Sequence, residues 1–309
     1  MDSWLRKYIY LMFCIGNTEV TLAEAAILKY THIPKRLYKY RTFCQNHVTA
    51  LERGVLYFTA TSHLNDIKEA NIVLSDQAKI DYFQTIFNDI QGEYDLPEAK
   101  VTNLKEMLDF LNSYFKEHSN KKDLDFSKSE EYKELEKELE EQQAEKMNNI
   151  LQANRNMYSV CSFSAANDIN NMWALYAQDH QGYCIEYDFK SLGEDSLFTA
   201  LLFPVIYAED NRLIVNDINR LNGNTGLLAA TLKNKNEWGY EQEWRLVHDV
   251  KEHGTPQPMP KPTGIYLGVR TCEKDETIMK DYCYKNTIPM YKMIYNQNTD
   301  RIEPKLIVL

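Results

Sequence analysis

The chain has 309 residues, 44% of them hydrophobic and 26% charged, which is the make-up of a soluble globular protein and not of a disordered or fibrous one. Its net charge of −10 at pH 7 gives no sign of the basic face that tight phosphate-backbone binding needs. No apolar run reaches the roughly 20 residues of a membrane span.

The six cysteines are far apart, with no CxxC pair and no His at zinc spacing, so they read as reduced thiols of a cytoplasmic protein without a metal site. Twenty-one Tyr and twelve Phe are many, and such residues build cores and also pockets that stack flat ligands.

Arg6-Lys7 followed by Tyr8–Ile15 loosely mimics an export signal, but no small-x-small cleavage pattern follows. Trp4, Leu5, Tyr8, Met12 and Ile15 instead form the stripe of a first helix. A second helix is expected over Thr21–Tyr30, with Thr21 as its N-cap. Arg36–Arg41 reads as a strand with Leu37, Lys39 and Arg41 on one face. Helical spacing at Val48 and Leu51 ends at Gly54, and Val55–Thr59 is a second strand, followed by a turn-rich loop, Thr61–Asp66.

Between residues 75 and 157 the spacing turns helical, first at Ile80, Phe83, Phe87 and Ile90, then at Val101, Leu104, Leu108, Leu111 and Phe115. A third helix is expected from about Ser129 to Asn154, with a seam of Tyr132, Leu135, Leu139, Met147, Ile150 and Leu151 that lapses at Gln143. Ser129–Lys146 holds eight Glu against three Lys, which reads as a solvated face or an interaction surface. The block reads as a helical insertion packed on itself or on a protein partner.

Strand character returns at Tyr158–Ser164, with Val160, Ser162 and Ser164 on one face. A short helix over Asn170–Gln178 precedes His180 and Gly182, then a strand over Tyr183–Asp188. Pro204–Tyr207 reads as extended, Leu227–Asn234 as helical, and Glu237–Val247 as a strand placing Glu241, Glu243 and Arg245 on one side and Tyr240, Gln242 and Trp244 on the other. Strands at Gly264–Gly268, Ile288–Ile294 and Lys305–Leu309, with a helix near Glu276–Tyr284, complete the chain. The economical reading is a single α+β domain over 1–309 with the insertion at 75–157.

Arg41, Ser162 and Ser164, the segment Met172-Trp173…Tyr176…His180-x-Gly182, and Glu241/Glu243 follow one another in an order that resembles the ADP-ribosyltransferase superfamily, in its Arg–Ser–Glu branch. Leu37–Arg41 and then Leu51…Gly54–Thr59 look like the opening strand, helix and strand of that fold. The whole chain also resembles a bacterial family of unknown function through Lys39-Tyr40-Arg41, Phe58…Asn65-Asp66, Met172-Trp173, His180-x-Gly182 and Trp238-x-Tyr240-Glu241-x-Glu243-x-Arg245.

The first resemblance implies a mixed β-sheet core with N-terminal helices and NAD as a substrate. It implies that Glu243 stabilises the oxocarbenium-like sugar and that Glu241 orients or deprotonates an acceptor. Arg41 would grip a phosphate, and Ser162 or Ser164 would hold the ribose or support the glutamate. Tyr57, Trp173 and Tyr176 would sandwich nicotinamide, and His180 would bind ligand or serve in acid-base work. Each residue also has a structural reading: a surface ion pair for Arg41, plain strand positions for the serines, core for Trp173 and Tyr176, and a helix-end hydrogen bond for His180.

The expectation is thus an enzyme that modifies a macromolecule, protein or nucleic acid, or that hydrolyses NAD, as a bacterial toxin or anti-phage effector. A metal-dependent nuclease or hydrolase using Asp66, Glu241 and Glu243 is one rival; a non-enzymatic module contacting a partner through its helices is the other.

Overall fold

The computed structural model describes residues 2–13, 18–118, 130–210, 212–216 and 223–308; Cys14, Ile15, Ser129 and Leu309 lie outside them. Helices α1 (Ser3–Phe13) and α2 (Glu19–His32) lead into β1 (Leu37–Arg41). Thr18, not Thr21, caps α2: its backbone is extended, and its side chain accepts from Thr21 N. Helix α3 (Gln45–Glu52) runs out at Gly54, where φ is +63°, and the chain continues as β2 (Val55–Tyr57) and β3 (Thr59–Ala60). Next come β4 (Ile72–Leu74) and three helices, α4 (Asp76–Tyr94), α5 (Leu104–His118) and α6 (Glu130–Arg155).

The middle of the chain supplies β5 (Tyr158–Ser164), α7 (Asn170–Tyr176), β6 (Tyr183–Tyr187), α8 (Leu197–Leu201) and β7 (Leu202–Pro204). It goes on through β8 (Ile206–Ala208), β9 (Leu213–Val215), α9 (Gly223–Thr231) and β10 (Leu232–Asn234). Last are α10 (Lys235–Trp238), β11 (Glu243–Asp249), β12 (Pro256–Pro258), β13 (Gly264–Leu267), α11 (Glu273–Asn286), β14 (Met290–Asn296) and β15 (Arg301–Val308).

Two stretches differ from the periodicity reading. Leu232–Asn234 leaves the helical pattern because it pairs in parallel with β8, a contact that local spacing cannot announce. Gly239–Glu241 is a 3-10 turn and Gln242 is left-handed, so the strand begins only at Glu243.

The chain divides into two compact units: Met1–Ala70, Asn156–Asn211 and Ala230–Leu309 form the first, and Asn71–Arg155 with Arg212–Ala229 the second. In the second, Phe87, Val101, Leu104 and Met107 make a core joined by Leu139 of α6, and β4 pairs in parallel with β9. Where the α6 seam lapses, Gln143 accepts a hydrogen bond from the Tyr82 hydroxyl.

The first unit is built on a mixed sheet in the order β15-β14-β13-β6-β1-β5-β11-β7, with β3 also paired to β5. Only β13 and β14 run parallel among these neighbours, and α11 connects them. Alternation along the strands sends Leu37, Phe163, Ile185, Trp244 and Ile265 to one face. Tyr40, Cys184, Tyr266 and Met293 go to the other, where Met172 and Trp173 of α7 cover them. Ser162, Ser164, Glu243 and Arg245 share that second side of their strands by register, since Glu243 lies opposite Ser164 and Arg245 opposite Ser162.

Candidate functional site

The site forms where the sheet splits. β1 pairs with β6 over its whole length, but its register with β5 is the single pair Tyr38↔Ser164. Farther along β5, Val160 and Ser159 pair with Thr59 and Ala60 of β3. In the gap between these two partners the Lys39 ammonium donates to the Ser162 carbonyl at 2.7 Å, meeting a backbone acceptor that no neighbouring strand takes up there. A cleft of about 380 Å³ opens at this gap, within the range of small-molecule sites, about 300–1,000 Å³.

Five charged side chains, each no more than 5% exposed, form the acidic end of the cleft: Glu69, Lys233, Glu241, Glu243 and Arg245. Arg245 donates from Nε to Glu243 at 2.8 Å, from one terminal nitrogen to Glu69 at 3.0 Å and Glu243 at 3.1 Å, and from the other to the Ala230 carbonyl at 2.6 Å. Lys233 reaches Glu241 at 2.6 Å and Glu243 and Glu69 at 3.1 Å. The Tyr176 hydroxyl donates to Glu241 at 2.7 Å, and the Glu243 N–H to the Tyr207 hydroxyl at 2.9 Å. When all ionise, three carboxylates face two cations, so the cluster keeps one negative charge in excess.

The two glutamates of the Glu-x-Glu element are driven apart. Burial works to raise the Glu243 carboxyl, but Arg245, then Lys233, with hydrogen bonds from Arg245 and Ser162, outweigh it and hold the group well below the usual carboxylate range. At Glu241 burial prevails over the pull of Lys233, and the adjacent Glu243 charge adds to it, so this carboxyl is raised. Burial and Glu241 together push the Tyr176 phenol up, keeping it a donor.

Glu243→Gln is therefore expected to cost about 3–5 kcal/mol of stability at pH 7, by weakening the two bonds that buried Arg245 gives this carboxylate and the pair with Lys233, and Glu241→Gln less, because its raised carboxyl gives up a weaker charge interaction. Urea unfolding of both variants measures the contrast, and equal losses would contradict it. Because the Glu243 carboxyl is depressed, its contribution is complete above the unfolded value of about 4.3 and disappears as pH falls through the lower folded value.

Arg41, Tyr57, Ser162, Ser164, Tyr176, Glu241 and Glu243 all line this one cleft. Arg41 is half-buried, and no hydrogen bond or ion pair holds its guanidinium among the described residues. Ser162 is among the groups that hold the Glu243 carboxyl down, whereas the Ser164 hydroxyl donates to the Glu241 carbonyl at 2.7 Å and accepts from Ala166 N, holding the turn that carries Glu241. Tyr57 is 41% exposed, which leaves its ring free to meet a ligand.

Two expected ligand contacts are not in the cleft. Trp173 is wholly buried, its Nε1–H given to the Asn167 carbonyl and its ring edge-on to Tyr40, so it has no surface left to stack on a nicotinamide. His180 stacks at 6.4 Å on Trp173 and ends a left-handed run, Gln178-Asp179-His180, with its carbonyl accepting from Arg270 N. Burial, and Arg270 after it, lower its imidazole. The His180-x-Gly182 element is thus a packing device: a Cβ at Gly182 would lie 2.2 Å from the Arg41 carbonyl oxygen, so the glycine lets β6 begin against the end of β1.

Glu69, Lys233, Lys39, His47 and Tyr207 belong to the site or its frame without having been expected there. Glu69 and Lys233 have no short-range signal: Glu69 lies in a loop, and Lys233 is placed by the parallel pairing of β10 with β8. Asp66 stands apart: one of its oxygens accepts from Lys68 N and the other from Trp238 Nε1. No group of three or more His, Cys, Asp or Glu side chains is poised to hold a metal among the described residues. No helix among them is long and apolar enough to cross a membrane.

No curated protein matches the chain, and no solved structure does. A family model does match over residues 172–246, which run from the start of α7 to the middle of β11 and include Tyr176, Lys233, Glu241, Glu243 and Arg245. That stretch is similar to a family described as Protein of unknown function (DUF2971), and it carries Lys233, Glu241, Glu243 and Arg245 of the acidic end, while Glu69, Arg41 and Ser162 come from outside it.

Proposed function

We infer that the chain is an NAD-consuming enzyme of the ADP-ribosyltransferase type, with an ADP-ribosyltransferase-like core, acting on a macromolecular acceptor or on water. The observation that carries this reading is the meeting of Arg41, Ser162 and Glu243, from three strands, around one cleft. In the reaction the nicotinamide–ribose bond breaks, nicotinamide leaves with the bonding electrons, and a nucleophile adds at the anomeric carbon. Glu243, kept ionised by its neighbours, stabilises the positive charge that develops there. Glu241, with its raised carboxyl, takes the proton of the incoming nucleophile. Arg41 grips a phosphate, and Tyr57 and Tyr176 flank the nicotinamide ring. A bacterial toxin or anti-phage role fits such an activity, with protein or nucleic acid as acceptor.

Labelled NAD incubated with the purified protein and bacterial lysate tests the reading. Wild type should consume NAD and label a fraction of the lysate or release free ADP-ribose. Glu243→Gln, checked for folding by circular dichroism, should be slower by about 10²–10³-fold. Arg41→Ala, which disturbs no hydrogen bond of the fold, should raise KM for NAD. NAD left intact by folded wild type would overturn the assignment.

A further inference from the structure

Asp66 and Trp238 belong to short motifs of the chain, Asn65-Asp66 and Trp238-x-Tyr240-Glu241-x-Glu243-x-Arg245, yet neither has a part in the chemistry described above. They are bonded to each other. The indole Nε1–H donates to one Asp66 oxygen at 2.9 Å, while the other oxygen accepts from Lys68 N at 2.9 Å and so fixes the carboxylate within its own turn. Held this way, the indole lies against Lys233, whose ammonium is 4.8 Å from the ring centroid. The same ammonium reaches Glu69, Glu241 and Glu243 within 3.1 Å, and its side chain is 6% exposed. Glu69, three residues after Asp66, ties the same loop to the cluster a second time.

We propose that Asp66 and Trp238 are positioning residues for the Glu241 carboxyl: Asp66 aims the indole, and the indole shields the Lys233–Glu241 pair from water. The link to turnover rests on the transferase reading, in which Glu241 takes a proton; the shielding itself can be measured without NAD.

Glu241 faces Lys233 on β10, Glu243 on β11, Tyr176 on α7, Tyr207 on β8 and Tyr240 beside it in the turn. Glu69 and Arg245 complete the charges around Lys233. Burial is the largest influence on the Glu241 carboxyl and raises it, against the pull of Lys233 and with the push of Glu243. Water admitted beside Lys233 weakens all three, and because burial prevails among them the carboxyl falls toward its ordinary value. A base works only when ionised, so activity climbs as pH rises through the Glu241 value. A carboxyl that ionises earlier moves that climb to lower pH.

Carbon-13 NMR of the full chain with carboxyl-labelled glutamate tests this, the Glu241 signal being the one lost in Glu241→Gln. Trp238→Ala removes the shield without changing charge. Asp66→Asn breaks the latch, because its one amide oxygen cannot replace both carboxylate acceptors and its N–H2 offers nothing to a donor. Both variants should lower the Glu241 midpoint by roughly one pH unit. Glu237→Gln removes a nearby negative charge, exposed and paired with Lys68, and should leave the midpoint where it is in wild type. With NAD, the acid limb of kcat should move down with the NMR midpoint while KM stays close to wild type.

A wild-type midpoint kept by folded Trp238→Ala and Asp66→Asn overturns the proposal. So does a shift in Glu237→Gln as large as that in Asp66→Asn, since loss of charge would then explain both. Should Trp238→Ala fail to fold, Asp66→Asn against Glu237→Gln decides. Shifted midpoints in a protein that never consumes NAD would leave the shield and remove the transferase reading. NAD consumption whose acid limb stays fixed while the midpoint moves would keep that reading and overturn the positioning role.

Discussion

Arg245→Met is expected to lower the unfolding free energy by about 3–5 kcal/mol at pH 7. The guanidinium is 1% exposed and satisfies two carboxylates and the Ala230 carbonyl at once. Methionine fills a similar length but donates nothing, so Glu243 and Glu69 would be left buried beside Lys233 alone. The loss comes from stranding partners rather than from the intrinsic worth of the pair: replacing a whole buried ionic set by apolar residues is often neutral or stabilising. Urea unfolding at pH 7 gives the number. A loss below about 1 kcal/mol with an unchanged slope would mean that water reaches the carboxylates, contrary to the burial on which the electrostatics of the site rest.

Gly182→Ala is expected to cost about 3 kcal/mol or more and to weaken ligand binding in the cleft. The new methyl carbon would lie 2.2 Å from the Arg41 carbonyl oxygen and 2.9 Å from that of Ala177, and both obstacles are backbone, which cannot swing aside as a side chain can. Either β1 or the end of α7 must move, and β1 carries Lys39 and Arg41. Gly239→Ala is the matched control, since its nearest foreign atom is the Lys235 Cγ at an ordinary 3.6 Å. Thermal melts of the two variants beside wild type decide the matter, and Gly182→Ala melting with Gly239→Ala would refute the close packing.

Much of the sheet could be read in advance because alternation is local. Tyr158–Ser164 emerges as β5, and the pairing of Ser162 and Ser164 on one side follows from a period of two. The glycine stop after α3 and the helical spacing around Phe87 and Leu104 are equally local. Glu241 was expected beside Glu243 for a reason that does not hold: it belongs to a 3-10 turn, and the left-handed Gln242 and the hydroxyl of Ser164 bring it to the cluster. For Trp173 and His180 the sequence left a ligand contact and a packing role both open, because a helix face says nothing of which neighbour covers it; the structure places both against the core. Lys233 and Glu69 could not be found, since ion pairs between distant segments leave no periodic trace.

The N-terminal β1 lies inside the sheet, flanked by β5 and β6, while β11, β13 and β14 are made much later. The chain through β11 must therefore have left the ribosome before Arg41 and Glu243 can line one cleft. During synthesis the early strand waits with both hydrogen-bonding edges unfilled, the kind of open edge on which unwanted strand pairing starts.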